Sequence, residues 1–182
     1  MAALEKMEDA AATATGMAAV SGALLSFLEA GDHIIACKAI YGCSFALLNH
    51  QLPKWGIEVT FIDMDNIEEF NQALKPNTKM VLIEGISNPT LRVADFHGIS
   101  SICKEAGIIL AVDNTFTTPK AFQPLKHGAD IVIHSVTKLL AGHSDVTLGY
   151  VVAKDSALNN RIYAFAVTTG LTASPFDCWL AE

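Results

Sequence analysis

Runs of aliphatic residues alternate along the chain with stretches in which apolar positions recur every three or four residues. The runs are His33–Cys37, Ile57–Ile62, Lys79–Glu84, Ile108–Asp113, Ile131–Ser135 and Gly149–Ala153, preceded by a small-residue run, Ala10–Thr15, that ends at Gly16. Most lack polar alternation, the pattern of strands covered on both faces. The intervening spacing predicts helices over Met17–Leu28, Ser44–Leu52, Ile67–Leu74 and Phe96–Ala106, and Met1–Asp9 also opens in a helical pattern. Gly31-Asp32 closes the first of these helices, and Pro53 and Pro76-Asn77 stop the next two. Asp95 is a suitable N-cap for the fourth, and Gly107 suits its C′ position. Strands linked by helices make right-handed crossovers, so the pattern predicts a three-layer α/β/α domain around a mostly parallel, mixed sheet. No internal repeat, low-complexity tract or long linker interrupts it.

Composition sharpens this picture. The 182 residues suffice for one domain with a sizeable core. At 51% hydrophobic and 17% charged, the chain is too apolar for disorder, and the excess hints at surface covered by something outside it. A net charge of −7 with no Lys/Arg cluster argues against nucleic acid and anionic membranes as partners. Cys37, Cys43, Cys103 and Cys178 are scattered, with no disulfide or zinc spacing, so a reducing cytosol is the default. Met1–Asp9 carries Glu5, Lys6, Glu8 and Asp9, unlike a signal peptide, and no apolar window reaches membrane-spanning length. Ser174-Pro175 begins a helix with Phe176, Trp179 and Leu180 as its stripe, yet the sequence stops at Glu182 without a helix terminator. A chain truncated at both ends is the expectation.

Ligands of open α/β sheets bind beyond the carboxyl ends of the strands. Those ends lead here into Gly16-Met17, Tyr41-Gly42-Cys43, Asn88-Pro89, Asp113-Asn114, and Thr137-Lys138. One sheet edge thus gathers a phosphate-type turn, an aromatic ring, an amide, a carboxylate, hydroxyls and a lysine. Neither dinucleotide nor P-loop glycine fingerprints occur, and no metal-binding spacing is present among the six histidines. Lys138 is flanked by Ser135 and Thr137. A desolvated lysine can lose its proton and form a Schiff base, hydroxyls with a helix N-terminus can hold a phosphate, and a carboxylate can hold a pyridinium proton. Pyridoxal phosphate (PLP) needs all three. From the residues alone, a solvated surface lysine is the commoner reading of Lys138.

Ser135-Val136-Thr137-Lys138, followed by Gly142-His143-Ser144-Asp145 and Gly149, resembles the pyridoxal-lysine signature of the Cys/Met-metabolism enzymes of fold-type I. Further blocks in the same order extend the resemblance nearly end to end: Thr13–Ala19, Gly31–Ile34, Tyr41-Gly42, Ile57–Val59, Asn88–Leu91, Val112–Thr115 and Ser174–Asp177. The resemblance implies a PLP-binding large domain over residues 1–182. In it Lys138 carries the cofactor as its internal aldimine and then shuttles protons. Asp113 pairs with the ring nitrogen. Backbone N–H groups of Gly16 and Met17, with the Ser135 and Thr137 hydroxyls, hold the phosphate. Tyr41 stacks on the ring, Asn88 lies near the cofactor hydroxyl, and Glu84 stands where the family has an acidic supporting residue.

Tyr41-Gly42-Cys43 resembles the methionine γ-lyase branch, in which a cysteine follows the stacking tyrosine, so Cys43 joins the candidate catalytic residues. The implied reaction is α,γ-elimination of a sulfur amino acid, methionine giving methanethiol, 2-oxobutyrate and ammonia. Cystathionine lyase, cystathionine γ-synthase or homoserine-ester sulfhydrylase activity is the alternative. The family also implies a homo-oligomer built as a dimer of dimers, phosphate ligands from a neighbouring subunit, and a small C-terminal domain bearing a carboxylate-binding arginine. None of these lies within the 182 residues. A catalytically incomplete portion that assembles with a partner, and a plain nucleotide-binding α/β protein, are the rival readings.

Overall fold

In a computed structural model that describes residues 1–182, the aliphatic runs become β2 (His33–Cys37), β3 (Glu58–Ile62), β4 (Thr78–Glu84), β5 (Ile109–Asp113), β6 (Ile131–Ser135) and β7 (Gly149–Ala153). A short β1 (Ala11–Thr13) joins them in one sheet of order β1-β7-β6-β5-β4-β2-β3. The stretch from β3 through β6 is parallel, whereas β7 is antiparallel to both β6 and β1. No helix lies between β6 and β7, so the chain turns back on itself there instead of crossing over. The order reverses between β2 and β4: β2 leads outward to β3, and β4 leads the other way to β5 and β6. Such a switch point opens a crevice at the carboxyl ends of the two strands.

The helices are α1 (Ala2–Glu5), α2 (Gly16–Leu25), α3 (Gly42–Ala46), α4 (Ile67–Ala73), α5 (Phe96–Ala106), α6 (Thr118–Ala121), α7 (Ser156–Thr169) and α8 (Pro175–Leu180). The limits of α5 match the sequence expectation, with the Asp95 side chain accepting from Gly98 N–H and Gly107 in the left-handed region. Two expectations need correction. The helix expected over Ser44–Leu52 does not stop at Pro53. After α3 the chain widens into a π turn, Leu47–Gln51, and tightens into a 3-10 turn, Leu52–Trp55. Pro53 stands in the first turn of that segment, where a missing N–H costs little. The second is α7, which the apolar spacing did not announce. Its buried stripe is Asn159, Ile162 and Ala166, so a polar residue occupies one of the three inward positions. Its signals were the Asp155 cap, which accepts from Leu158 N–H, and Gly170 in the left-handed region.

One cluster of 41 buried apolar residues draws on both faces of the sheet and so makes a single core. Two buried polar side chains beside it are held by hydrogen bonds. His33, on β2, hydrogen-bonds Thr78 and Thr60, each at 2.8 Å. Asn159 ties α7 to β7: its Oδ1 accepts from Ala153 N–H at 2.8 Å and its Nδ2 donates to the Ala153 carbonyl at 3.3 Å. No helix is long and apolar enough to cross a membrane.

The Asn159 anchor gives a direct test of this packing. Asn159→Ala leaves the Ala153 N–H buried without an acceptor, a loss of about 1–3 kcal/mol. Urea unfolding followed by circular dichroism is expected to show a correspondingly lower midpoint, and an unshifted midpoint contradicts the assignment.

Candidate active site

The turn between β1 and α2 is pressed against the ends of β6 and β7. Thr15 is extended at φ −153°, and its Oγ1 accepts from Ala18 N–H at 2.9 Å, capping α2. The N–H groups of Gly16 and Met17 have no partner within the helix. A Cβ at Gly16 would lie 2.6 Å from Ser135 Cβ and 2.7 Å from its Oγ, and a Cβ at Gly149 would collide with the Thr15 carbonyl. Only glycine permits either approach. The result is the Ser135 hydroxyl beside the N-terminus of α2, an arrangement that suits an anion.

Beyond Ser135 the chain turns through Thr137 and Lys138. Lys138 N–H bonds the Ser135 carbonyl at 3.3 Å, and Gly142 N–H bonds the Lys138 carbonyl at 2.9 Å. Lys138 lines the cavity and is exposed, as the surface reading of its position also expects. Thr137 Oγ1 donates to the Leu148 carbonyl at 3.2 Å and accepts from Leu148 N–H at 3.0 Å. Its hydrogen therefore braces the strand-to-loop junction, and it must rotate to serve an anion, unlike that of Ser135.

Asp113 closes β5 in a tight turn in which its Oδ1 accepts from Thr115 N–H at 3.0 Å and from Thr115 Oγ1 at 2.6 Å. Thr115 Oγ1 also accepts from Ser135 N–H at 2.9 Å, locking the ends of β5 and β6 together. Burial pushes the Asp113 carboxyl above the ordinary carboxylate range, against the two Thr115 hydrogen bonds and the charge of His134. A cationic N–H in the cavity would offset that burial.

Glu84 stands opposite Asp113 in the β4·β5 register and is buried. Its Oε1 accepts from Tyr41 N–H at 2.7 Å, and its Oε2 accepts from Asn88 N–H at 3.0 Å. One carboxylate thus holds both loops that flank the switch point. Burial, reinforced by the neighbouring Asp113 charge, pushes Glu84 up to about 7 despite the two N–H donors. Tyr41 is 39% exposed over the cavity. The Cys43 thiol donates to its hydroxyl at 3.5 Å.

These residues surround a cavity of about 490 Å³, within the range of small-molecule pockets. Gly16, Met17, Tyr41, Glu84, Asn88, Asp113, Ser135, Thr137 and Lys138 all line it. Cys43 does not; it is exposed and reaches the site only through Tyr41. Sequence reasoning missed Thr15, Thr115 and Thr147 on the wall, with Val20, Ile86 and Phe116 supplying apolar surface. The Asp-x-Thr spacing of Asp113 and Thr115 was a usable signal for a side chain that caps its own loop. The cavity fits PLP at three points: an anion cup whose glycine admits no Cβ, a half-buried carboxylate with Oδ2 free of Thr115, and an amine on the same wall.

Fold and site together define an α/β protein with a ligand cavity at a topological switch point, equipped for a phosphorylated, nitrogen-containing ring. A family model described as Cys/Met metabolism PLP-dependent enzyme matches residues 1–182, and the chain belongs to that family. L-methionine gamma-lyase of Fusobacterium nucleatum subsp. polymorphum is 44% identical over 181 residues, covering 98% of this chain and 46% of that protein. Cystathionine beta-lyase MetC of Bacillus subtilis is 42% identical over 180 residues, covering 99% and 46%. The crystal structure of metB from Corynebacterium glutamicum superposes with a TM-score of 0.96 at 37% identity, covering 99% of this chain and 47% of that one. The chain spans about half the length of the relatives it matches.

Glu84 makes stability depend on pH. Its carboxyl binds a proton more tightly folded than unfolded, so its contribution is most favourable below about pH 4.5 and declines as pH rises to about 7. The full loss is at most about 3 kcal/mol. Thermal melts between pH 5 and 7.5 are therefore expected to fall less steeply for Glu84→Gln than for the parent chain; parallel slopes contradict the burial of this carboxylate.

Proposed function

We propose that this chain is the PLP-binding portion, residues 1–182, of an enzyme that eliminates the γ-thiol of L-methionine and related sulfur amino acids. Methionine and water give methanethiol, 2-oxobutyrate and ammonia. The observation that carries the reading is the convergence of Lys138, Asp113 and the Gly16–Ser135 anion cup on one cavity. PLP, when bound, supplies an electron sink for the carbon from which a proton is removed.

The chain's own groups have distinct tasks. The Gly16 and Met17 N–H groups and the Ser135 hydroxyl grip the phosphate, with Thr137 bracing their junction to Leu148. Asp113 holds a proton on the ring nitrogen, its orientation set by Thr115. Lys138 Nζ takes the proton from the substrate α-carbon and returns it elsewhere on the chain of carbons. Tyr41 covers the ring face, and its hydroxyl, in contact with the Cys43 thiol, faces the departing sulfur. Asn88, fixed through its N–H by Glu84, orients the ring hydroxyl. The exposed Phe176, Trp179 and Leu139 supply apolar surface for association with further copies in the cytosol.

The relatives include both a methionine lyase and a cystathionine lyase, so cystathionine is the alternative substrate; Cys43 beside Tyr41 favours methionine. In the intact enzyme with PLP added, methionine is expected to yield methanethiol and 2-oxobutyrate in equal amounts. Lys138→Ala is expected to lower that rate about 10³-fold or more. Normal elimination in Lys138→Ala contradicts the role of the lysine, and turnover of cystathionine in preference to methionine moves the assignment to the second substrate.

A further inference from the structure

Two loops leave the switch point, one from each of its strands. Residues 38–41 follow β2 and end at Tyr41; residues 85–95 follow β4 and carry Asn88. Glu84 joins the two on the cavity side. A group of charged side chains with no part in the scheme above joins them on the solvent side. Its centre is Asp63, the residue after β3. Asp63 Oδ1 accepts from Arg92 Nη1 at 2.9 Å, and its Oδ2 accepts from Lys38 Nζ at 3.5 Å. Arg92 belongs to the Asn88 loop, and Lys38 opens the Tyr41 loop. Arg92 Nη2 also donates to both oxygens of Asp65, at 2.8 and 2.7 Å. Glu69, on α4, accepts from Lys38 Nζ at 2.7 Å and, through its other oxygen, from Asp63 N–H at 3.0 Å.

A lone exposed ion pair contributes little, because water and side-chain freedom oppose it. This group differs in being a network. Each cation has two carboxylates, and Asp63 is common to both cations. Arg92 is also well placed to hold its loop. Ser87 N–H donates to the Arg92 carbonyl at 2.9 Å, Arg92 N–H donates to Ser87 Oγ at 2.8 Å, and Ile86 bridges Val93. The loop is therefore a closed hairpin, and a hold on the guanidinium reaches Asn88 at its tip. That tip needs holding: Leu91 is 69% exposed yet sits at φ 55°, a backbone conformation that a bulky residue adopts only where its surroundings impose it. The inner and outer contacts are neighbours. Glu84 and Asp63 line one small cavity of about 20 Å³, with Ser87 and Arg92 in its wall, a gap of the size one water needs.

We propose that Asp63 and Arg92 are positioning residues: with Lys38 they form an outer ionic clamp that holds the Tyr41 and Asn88 loops at the spacing the cofactor ring requires, while Glu84 holds the same loops from within. The mention of the ring rests on the proposed function; the clamping of the loops does not. Neither Asp63 nor Arg92 lines the cofactor cavity, so both act through Tyr41 and Asn88. The two clamps also differ in kind. The Glu84 bonds are buried, whereas the outer one faces solvent and is open to screening by salt.

The test begins with the chain without cofactor. Hydrogen exchange at the Tyr41 and Asn88 amides, the two that donate to Glu84, reads the opening of each loop, with the amides of β6 and β7 as reference. Asp63→Asn is expected to speed exchange at both amides about fivefold relative to the reference. Arg92→Met is expected to act similarly at Asn88, and Arg92→Lys, which restores the charge, to recover about half of the lost protection or more. The double variant is expected to exceed Asp63→Asn at Asn88 by less than about twofold, as for partners in one network. Potassium chloride at about 0.5 M is expected to speed both amides in the parent chain about twofold. An unmoved Tyr41 amide in Asp63→Asn overturns the proposal, as does Arg92→Lys behaving like Arg92→Met. Indifference of both amides to salt overturns it without any variant. Ligand affinity separates positioning from general damage. In Asp63→Asn the affinity for PLP is expected to fall about fivefold, with that for inorganic phosphate, which needs only the anion cup, unchanged; a parallel fall in both contradicts positioning. Failure of PLP to bind the parent chain would count against the proposed function, and the exchange results would still decide the clamp.

Discussion

The site depends on how closely the β1–α2 turn approaches the ends of β6 and β7. Without a Cβ at Gly16 and Gly149, the turn lies directly over the antiparallel β7 and reaches Ser135. This contact sets the N-terminus of α2 beside the hydroxyl of β6, and through the turn after Ser135 it sets both beside Lys138. A side chain at either glycine would part the helix from the strand, and the anion cup would open even with every polar residue still present. The antiparallel return of β7 is thus part of the site, because it carries Gly149 to the edge where the parallel strands end.

A second constraint is electrostatic. Glu84 and Asp113 stand opposite each other on neighbouring buried strands, and burial raises both. The structure compensates each locally. Tyr41 and Asn88 give N–H groups to Glu84, and Thr115 gives two donors to Asp113. The Glu84 bonds also stitch together the two loops that diverge at the switch point, so one carboxylate converts a topological crevice into a cavity of fixed shape. Asp113 keeps an oxygen free of Thr115 toward that cavity, where a cationic N–H completes the balance.

Much of this was legible in the sequence. Uninterrupted aliphatic runs such as Ile131–Ser135 and Gly149–Ala153 fell on their strands, because burial on both faces leaves no room for alternation. Strong caps, Asp95 and Gly107, fixed α5. Where the rule rests on one residue it was weaker. Pro53 ends an α-helix, but not a chain that changes pitch before reaching it. The inward-facing Asn159 hid α7, since its hydrogen bonds to Ala153 do the work of apolar contact. Every candidate site residue read from the sequence lies on the cavity wall except Cys43, which lies just off it. Thr115 and Thr15 were not foreseen although Asp113 and Ala18, their partners, are local; the buried hydrogen bond between Glu5 and His134, at 2.7 Å, joins residues so far apart that no local pattern encodes it.

Cofactor trapping tests the central claim most directly. The 182-residue chain is mixed with PLP, reduced with borohydride, digested and mapped by mass spectrometry. The account predicts one phosphopyridoxyl group per chain, on Lys138. Label spread over surface lysines, or no label in a folded chain, would contradict the claim that this cavity by itself holds the cofactor.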